Sequence, residues 1–263
     1  MSAVAKVNGI EIAYDEHGEG DPFVLVHGFS GSGRDWSGVA PDLAASRRVL
    51  AVHQRGHGDS TSTGDAATYT FDQLVDDLEG FVDALALERF DLLGHSMGGL
   101  VAMRYAARHP ARVRSLIPMD TGASPTPGAG QWMQPLIDIV TAGGMPAYYE
   151  AAKDVVFPGG EDVAGLAAFK WSLDSMDPVA FVRFAEELTT YPPFLAQLGT
   201  LTMPATVLVG ENDVSLRGAA DDLTTAIPGA VLDVIPGAAH SPHVENREGW
   251  LTAVERHFAR LGA

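Results

Sequence analysis

The 263-residue sequence contains no cysteine. Disulfides, thiolate nucleophiles, iron–sulfur clusters and Cys-based zinc sites are therefore excluded, and the composition suits a reducing compartment. Positive charge is scarce: 17 Lys and Arg stand against 34 Asp and Glu, a net charge of -17 spread along the chain and not gathered in a tail. That sign opposes phosphate backbones and anionic lipid surfaces, so neither nucleic acid nor a membrane is expected as a partner. Residues 1–20 lack a basic start followed by an apolar run, and no stretch is long enough to span a bilayer. A cytoplasmic location is expected. Internal repeats and low-complexity tracts are also missing. What is plentiful is apolar side chain, 46% of residues against 19% charged, enough for a sizeable core in one α/β domain or one domain with an insertion.

The chain opens with a hairpin signal. Residues 4–7 and 10–14 flank Asn8-Gly9, which supplies the positive φ angles of a two-residue turn. After that, short apolar runs at 23–26, 49–52, 90–93, 113–119, 205–209 and 231–235 alternate with helix-length amphipathic stretches. Such runs predict central parallel strands covered by helices on both faces. One of the helices is expected to be capped by Asp72, with Leu74, Val75, Leu78, Phe81, Val82 and Leu85 inward and Asp76, Asp77 and Glu79 outward. The alternation stops between about Ser124 and Met203, where no buried strand is legible and the apolar positions predict short helices. An α/β core of residues 1–124 and 201–263, with residues 125–200 as a helical insertion over the sheet, follows. Nearly half of the chain's aromatic residues fall in that insertion. They either cover an apolar pocket or simply form the core of a small lobe.

Gly94-His95-Ser96-Met97-Gly98-Gly99 lies between the run 90–93 and a helix at 100–108. In a G-x-S-x-G turn the glycines make room where a strand bends at once into a helix, leaving the serine hydroxyl exposed at the strand tip. The alternative is a Gly-rich turn with an incidental serine. A serine nucleophile needs a base and a group to orient that base. Of the nine histidines, His240 follows the strand 231–235 by one short loop and so shares the edge of the sheet with Ser96. His243, expected at the start of a last helix 244–261, is its competitor. His17, His109 and His257 read as solvated structural residues in a turn, a helix end and a helix face, and His95 cannot easily reach back to Ser96. Asp213, after the strand 205–209, is the preferred orienting acid, ahead of Asp120 and then Glu211. His27-Gly28-Phe29 ends the strand 23–26, and the N–H groups of Phe29 and Met97 form a candidate oxyanion hole; a structural glycine turn is the other reading. The Gly28–Gly33 run reads G-x-x-G-x-G with no acidic ribose partner, so no nucleotide cofactor is expected. Neither His240 with His243 nor His57 with Asp59 brings a third ligand, and no metal is expected.

In these motifs the chain resembles the α/β-hydrolase fold superfamily over nearly its whole length outside residues 125–200. The carriers are His27-Gly28-Phe29, Gln54-Arg55-Gly56-His57-Gly58-Asp59-Ser60, the Gly94–Gly98 elbow, Gly210-Glu211-Asn212-Asp213 and Ala239-His240-Ser241-Pro242-His243, in the order Ser96, Asp213, His240. The resemblance implies an eight-stranded, mostly parallel sheet flanked by helices, a cap inserted after the sixth strand, and acid and base roles for Asp213 and His240. His53 stands where such proteins usually have Asp, which bears on substrate fit. A serine at the elbow argues against haloalkane dehalogenases and epoxide hydrolases, and Met97 replaces the Trp usual in proline iminopeptidases. Carbon–carbon bond hydrolases of ring-cleavage products usually carry a Trp soon after the base, where this chain has Ser241-Pro242; cofactor-free haloperoxidases and enol-lactone hydrolases share the Ser-Asp-His set.

The expectation is therefore a serine hydrolase acting on a carboxylic ester or lactone of a small, largely apolar molecule. His27, Gly28 and His95 are expected to border the substrate, with Trp132, Phe157, Trp171 and Phe184 as candidate lining residues of the cap. A binding protein on the same scaffold, sensing a ligand with little turnover, is the alternative of another class. Neither the substrate nor the oligomeric state is legible.

Overall fold

The computed structural model describes residues 2–156 and 163–262. Strands β1 (Ala3–Val7) and β2 (Ile10–His17) form the expected hairpin, turned by Asn8 at φ 49° and Gly9 at φ 80°. Strands β3 (Asp21–Val26), β4 (Arg47–Val52), β5 (Phe90–His95), β6 (Val113–Met119), β7 (Thr206–Gly210) and β8 (Val231–Ile235) complete an eight-stranded sheet in the order β1-β2-β4-β3-β5-β6-β7-β8. β2 pairs antiparallel with β1 and β4, and the pairs from β4 to β8 are parallel. The order doubles back at β3, so the crossovers fall on both faces of the sheet, and the strand tips of β3, β5, β6, β7 and β8 all end on one edge.

Side chains alternate between two cores. Phe23, Leu25, Val49, Ala51, Leu93 and Ile117 pack with Trp36, with α1 (Ala40–Leu43) and with Trp250 and Val254 of α9 (Arg247–Leu261). Val24, Val26, Leu50, Val52 and Leu92 face the other way, against α2 (Phe71–Ala84), α3 (Met97–Arg108) and α7 (Arg217–Ala226). This period-two division is why central strands read as unbroken apolar runs.

Between β6 and β7 the chain forms α4 (Ala129–Val156), α5 (Val163–Asp174) and α6 (Pro178–Thr190). Short helices were expected here, and α4 is itself two helices run together, parted at Gly144 with φ 68° and with Pro146 just beyond. Leu173, Phe181 and Phe184 join the same apolar cluster as α2 and α3.

Three expectations are corrected. Thr70, not Asp72, caps α2, its side chain accepting from the Gln73 N–H; Asp72 falls in the first turn and pairs with Arg104. Asp77 does not face out: it is buried and takes Arg55 in a two-pronged ion pair at 2.6 and 2.7 Å. The last helix is two pieces, α8 (Pro242–Glu245) and α9, parted at Asn246, whose side chain accepts from the Gly249 N–H and starts the second piece.

Candidate active site

Ser96 stands between the end of β5 and the first residue of α3 with φ 52° and ψ -118°. A non-glycine residue holds such a conformation only when its surroundings impose it, at a cost of about 1–3 kcal/mol. The imposing contacts are at the glycines. A Cβ on Gly94 would lie 2.2 Å from the Gly98 carbonyl oxygen, and one on Gly98 would lie 2.4 Å from those of Val26 and His27. The Ser96 N–H donates to the Met119 carbonyl at 2.9 Å, and the Thr121 hydroxyl donates to the Ser96 carbonyl at 2.8 Å. Backbone and glycine sterics thus hold the hydroxyl at the strand edge, with the positive end of α3 behind it.

His240, in the loop between β8 and α8, brings Nε2 to 3.1 Å from Ser96 Oγ and Nδ1 to 2.6 Å from Asp213 Oδ2. A carboxylate accepts only, so Nδ1 carries the proton and Nε2 is left to accept the serine O–H. His240 is half exposed; Asp213 is buried. Burial works against the Asp213 charge, but the donors His240 Nδ1–H, Ser215 Oγ–H and Leu216 N–H outweigh it and bring the carboxyl down to about 2. His95, expected beside the substrate, donates from Nε2 to the His240 carbonyl at 2.7 Å. It props the loop that carries His240.

The competitors lie elsewhere. His243 is buried against Trp36 at 4.6 Å between ring centres, and burial pushes its imidazole down to about 3. Glu211 is tied to the Gly237 N–H. His17 ends β2 and His109 caps α3. His257 is not solvated as expected: it is buried between the Thr206 and Ser115 hydroxyls at 2.6 and 2.8 Å. Asp120, the runner-up acid, is within reach of the site but engaged by the Gly210 N–H at 2.9 Å.

Met97 follows Ser96 and Phe29 follows Gly28, and no hydrogen bond of the described residues engages either N–H. Gly28 lets this loop approach: a Cβ there would lie 3.2 Å from Ser96 Cβ. His27 is fully buried, donates from Nδ1 to the Gly28 carbonyl and accepts the Gln54 N–H on Nε2, so it braces the loop from beneath. His53 is buried too, edge-on to Trp171.

The candidate cap residues part company. Trp132 on α4 is 52% exposed. Trp171 on α5 carries the Arg34 guanidinium on its face at 3.4 Å. Phe184 on α6 is wholly buried, stacked on His57 and Phe71 where the insertion meets the sheet. Phe157 lies outside the described residues. Phe29 packs instead against a small apolar cluster of Met133 and Ile137 of α4 with Ala185 of α6, which Leu136, Val182 and Leu188 also border, while the Phe181 ring lies 4.6 Å from its own. The three-to-four spacing of Met133, Leu136, Ile137 and Val140 is a signal in the sequence for that face; the aromatic count drew attention away from it.

One carboxylate oxygen each of Asp120 and Asp213 and a ring nitrogen of His240 lie within 4.8 Å of one another. Zinc bound tetrahedrally at about 2.0–2.1 Å needs its ligand atoms about 3.3 Å apart. The 2.6 Å between His240 and Asp213 is too short for that and fits a shared proton.

An eight-stranded α/β sheet with a strained serine between strand and helix, a histidine and an acid at the same edge defines a class of hydrolase scaffold. The chain belongs to the α/β hydrolase fold family, which matches residues 21–156. It is 44% identical over 115 residues to a 2-hydroxymuconate semialdehyde hydrolase of Pseudomonas sp. (strain CF600); that match takes in 42% of this chain and only 40% of the relative. Among solved structures it is similar to the enol-lactonase from Burkholderia xenovorans LB400 (TM-score 0.87, 25% identity, 98% of this chain and 100% of that one) and to a thermophilic esterase from Thermogutta terrifontis (TM-score 0.86, 26% identity, 100% of both). These relatives are hydrolases. No described helix is long and apolar enough to cross a membrane.

Proposed function

We propose that this chain is a serine hydrolase that cleaves a carboxylic ester or lactone of a small, largely apolar substrate through an acyl-enzyme on Ser96. The observation that carries the reading is the unbroken relay from Ser96 Oγ through His240 to Asp213, at 3.1 and 2.6 Å. His240 Nε2 takes the serine proton as Oγ attacks the carbonyl carbon, and Asp213 stabilises the imidazolium. The oxyanion accepts the Phe29 and Met97 N–H groups; losing one such donor typically costs about 10²–10³-fold in rate. The leaving alcohol departs with the proton from Nε2, and water, activated by the same nitrogen, releases the acid. The apolar cluster of α4 and α6 beside Phe29 favours an apolar acyl group. The substrate is a small molecule, the setting cytoplasmic, and the reaction needs no cofactor.

The 44% identity to a carbon–carbon bond hydrolase over 115 residues favours a second reading, cleavage of a vinylogous diketone at the same serine. Fluorophosphonate labelling, followed by turnover of p-nitrophenyl esters, lactones and vinylogous diketones, tests both. Labelling lost in Ser96→Ala with turnover of esters or lactones is expected; turnover of diketones alone moves the reading to carbon–carbon cleavage. A burst of about one equivalent with no steady turnover assigns the chain to ligand sensing.

A further inference from the structure

Asp120 has no part in the mechanism above, yet its position is tightly imposed. It follows β6 with a left-handed backbone, φ 43°, and is 1% exposed. Oδ1 accepts the Gly210 N–H, and Oδ2 is buried with no donor among the described residues. The carboxyl sits within the same 4.8 Å group as Asp213 and His240. Two ionised carboxylates held that close and out of water repel each other, and sharing one proton relieves the repulsion. Around Asp120 the titratable groups are Asp213, His240 and Glu245 of α8. Burial drives the Asp120 carboxyl up to about 9 against the pull of the Gly210 N–H, with the charges of Asp213 and Glu245 adding to the rise.

Resting on the reading of Ser96, His240 and Asp213 given above, we propose that Asp120 is a positioning residue of the relay, a neutral carboxylic acid whose O–H donates to the Asp213 carboxylate. Asp213 is then held by four donors, Asp120, Ser215, Leu216 and His240, so its orientation toward the imidazole is fixed from behind as well as in front. The proton accounts for the buried Oδ2 that otherwise has no partner. It also explains why two acids at neighbouring strand tips do not compete for His240: one is charged and the other is its donor.

The test is the rate of fluorophosphonate inactivation of Ser96 from pH 5 to 9 in the unsubstituted protein, Asp120→Leu and Asp120→Asn. Leucine removes both hydrogen bonds; asparagine keeps an acceptor for the Gly210 N–H and a donor for Asp213. Asp120→Leu is expected to slow inactivation about 10–100-fold through misplacement of the relay. Asp120→Asn is expected to recover most of that loss, with the rising limb of the pH profile unmoved. Were Asp120 ionised, both variants would delete a negative charge beside His240 and carry that limb to lower pH, which overturns the proposal. A lower melting temperature in Asp120→Leu with an unchanged rate also overturns it, since the role is then only structural. If Asp120→Leu does not fold, the limb in Asp120→Asn decides by itself. Absence of Ser96 labelling in the unsubstituted protein sinks the whole relay, whereas labelling that is indifferent to Asp120 removes this role alone.

Discussion

The strand edge and the helices above it are built on different principles. At the edge each group is fixed several times over: Ser96 by a left-handed backbone and three crowded glycines, Asp213 by His240, Ser215 and Leu216, His240 by Ser96, Asp213 and the prop from His95. The insertion is tied down by side-chain packing into the α2–α3 core and by scattered polar links. Examples are Ser172 to Ser32 at 3.2 Å, Asp177 to the Tyr69 hydroxyl at 2.5 Å and Glu187 to the Phe71 N–H at 2.8 Å. Backbone strain and glycine sterics tolerate almost no exchange, whereas apolar packing tolerates exchange at constant volume. The geometry of the chemistry is therefore rigid in this molecule, and the shape of what it accepts is adjustable.

The sharpest break in that contrast is Ser96→Ala, expected to lower hydrolysis about 10⁶-fold with the fold intact, as for a relay that acts as one unit. Steady-state kinetics with a thermal melt on the same sample check it; a variant that still turns over refutes the edge as the seat of chemistry. Asp213→Asn comes next, with about 10⁴ lost in kcat through the wrong imidazole tautomer. His240→Ala should far exceed His243→Ala in the same assay, because His243 is buried against Trp36 and not hydrogen-bonded to Ser96.

In the insertion the expected effects split by residue. Phe184→Ala should cost about 3–5 kcal/mol in denaturant unfolding, the price of a fully buried aromatic, with acyl preference unchanged. Leu136→Ala should do the reverse, shifting the preference between short and long acyl esters at a nearly constant melting temperature. If the two residues exchanged these signatures, the α4–α6 face bordered by Leu136 and Phe29 would not be the pocket wall.

A pH series distinguishes the two acids at the edge. Asp213, lowered to about 2, contributes stability that is fully present above about pH 4 and is lost as pH falls toward 2. Asp120, raised to about 9, acts in the opposite sense. The folded state keeps its proton while the unfolded chain releases it near pH 4, so stability falls as pH rises toward 9. Asp120→Asn, neutral in both states, should gain on the parent by up to about 1.4 kcal/mol per unit between pH 5 and 8. Equal pH dependence of the two unfolding curves would show Asp120 to be ionised in the fold. The smallest effect is expected at Arg34, whose guanidinium lies on Trp171 and pairs with Asp59 at 3.4 Å, with both side chains of that pair partly exposed. Arg34→Ala should cost no more than about 1 kcal/mol, measured by a double-mutant cycle with Trp171→Ala.

The strands, their parallel pairing and the strained elbow were legible because each leaves a local mark: an apolar run of a strand's length, a turn pair such as Asn8-Gly9, glycines two residues either side of Ser96. The pairing of His240 with Ser96 followed from counting strand tips. Burial was less legible wherever a polar side chain finds a distant partner. Asp77 carries the spacing of an outward position on α2, and Arg55, 22 residues away in sequence, pairs with it inside, with Asn8 donating to the same carboxylate. His257 of α9 was expected in solvent for the same reason, its partners Ser115 and Thr206 lying on β6 and β7.

Local residue order thus determined the α/β architecture, the exposed serine, and the candidates for base and acid, since each depends on interactions within a few residues of chain. Tertiary structure alone decided which aromatics pack and which lie open, that aliphatic residues of α4 and α6 meet Phe29, and that Asp120 lies against Asp213 instead of in its place. Those outcomes depend on distances between segments far apart in sequence, and on the water excluded between them; a local pattern can mark an apolar face, as on α4, but not the partner that it meets.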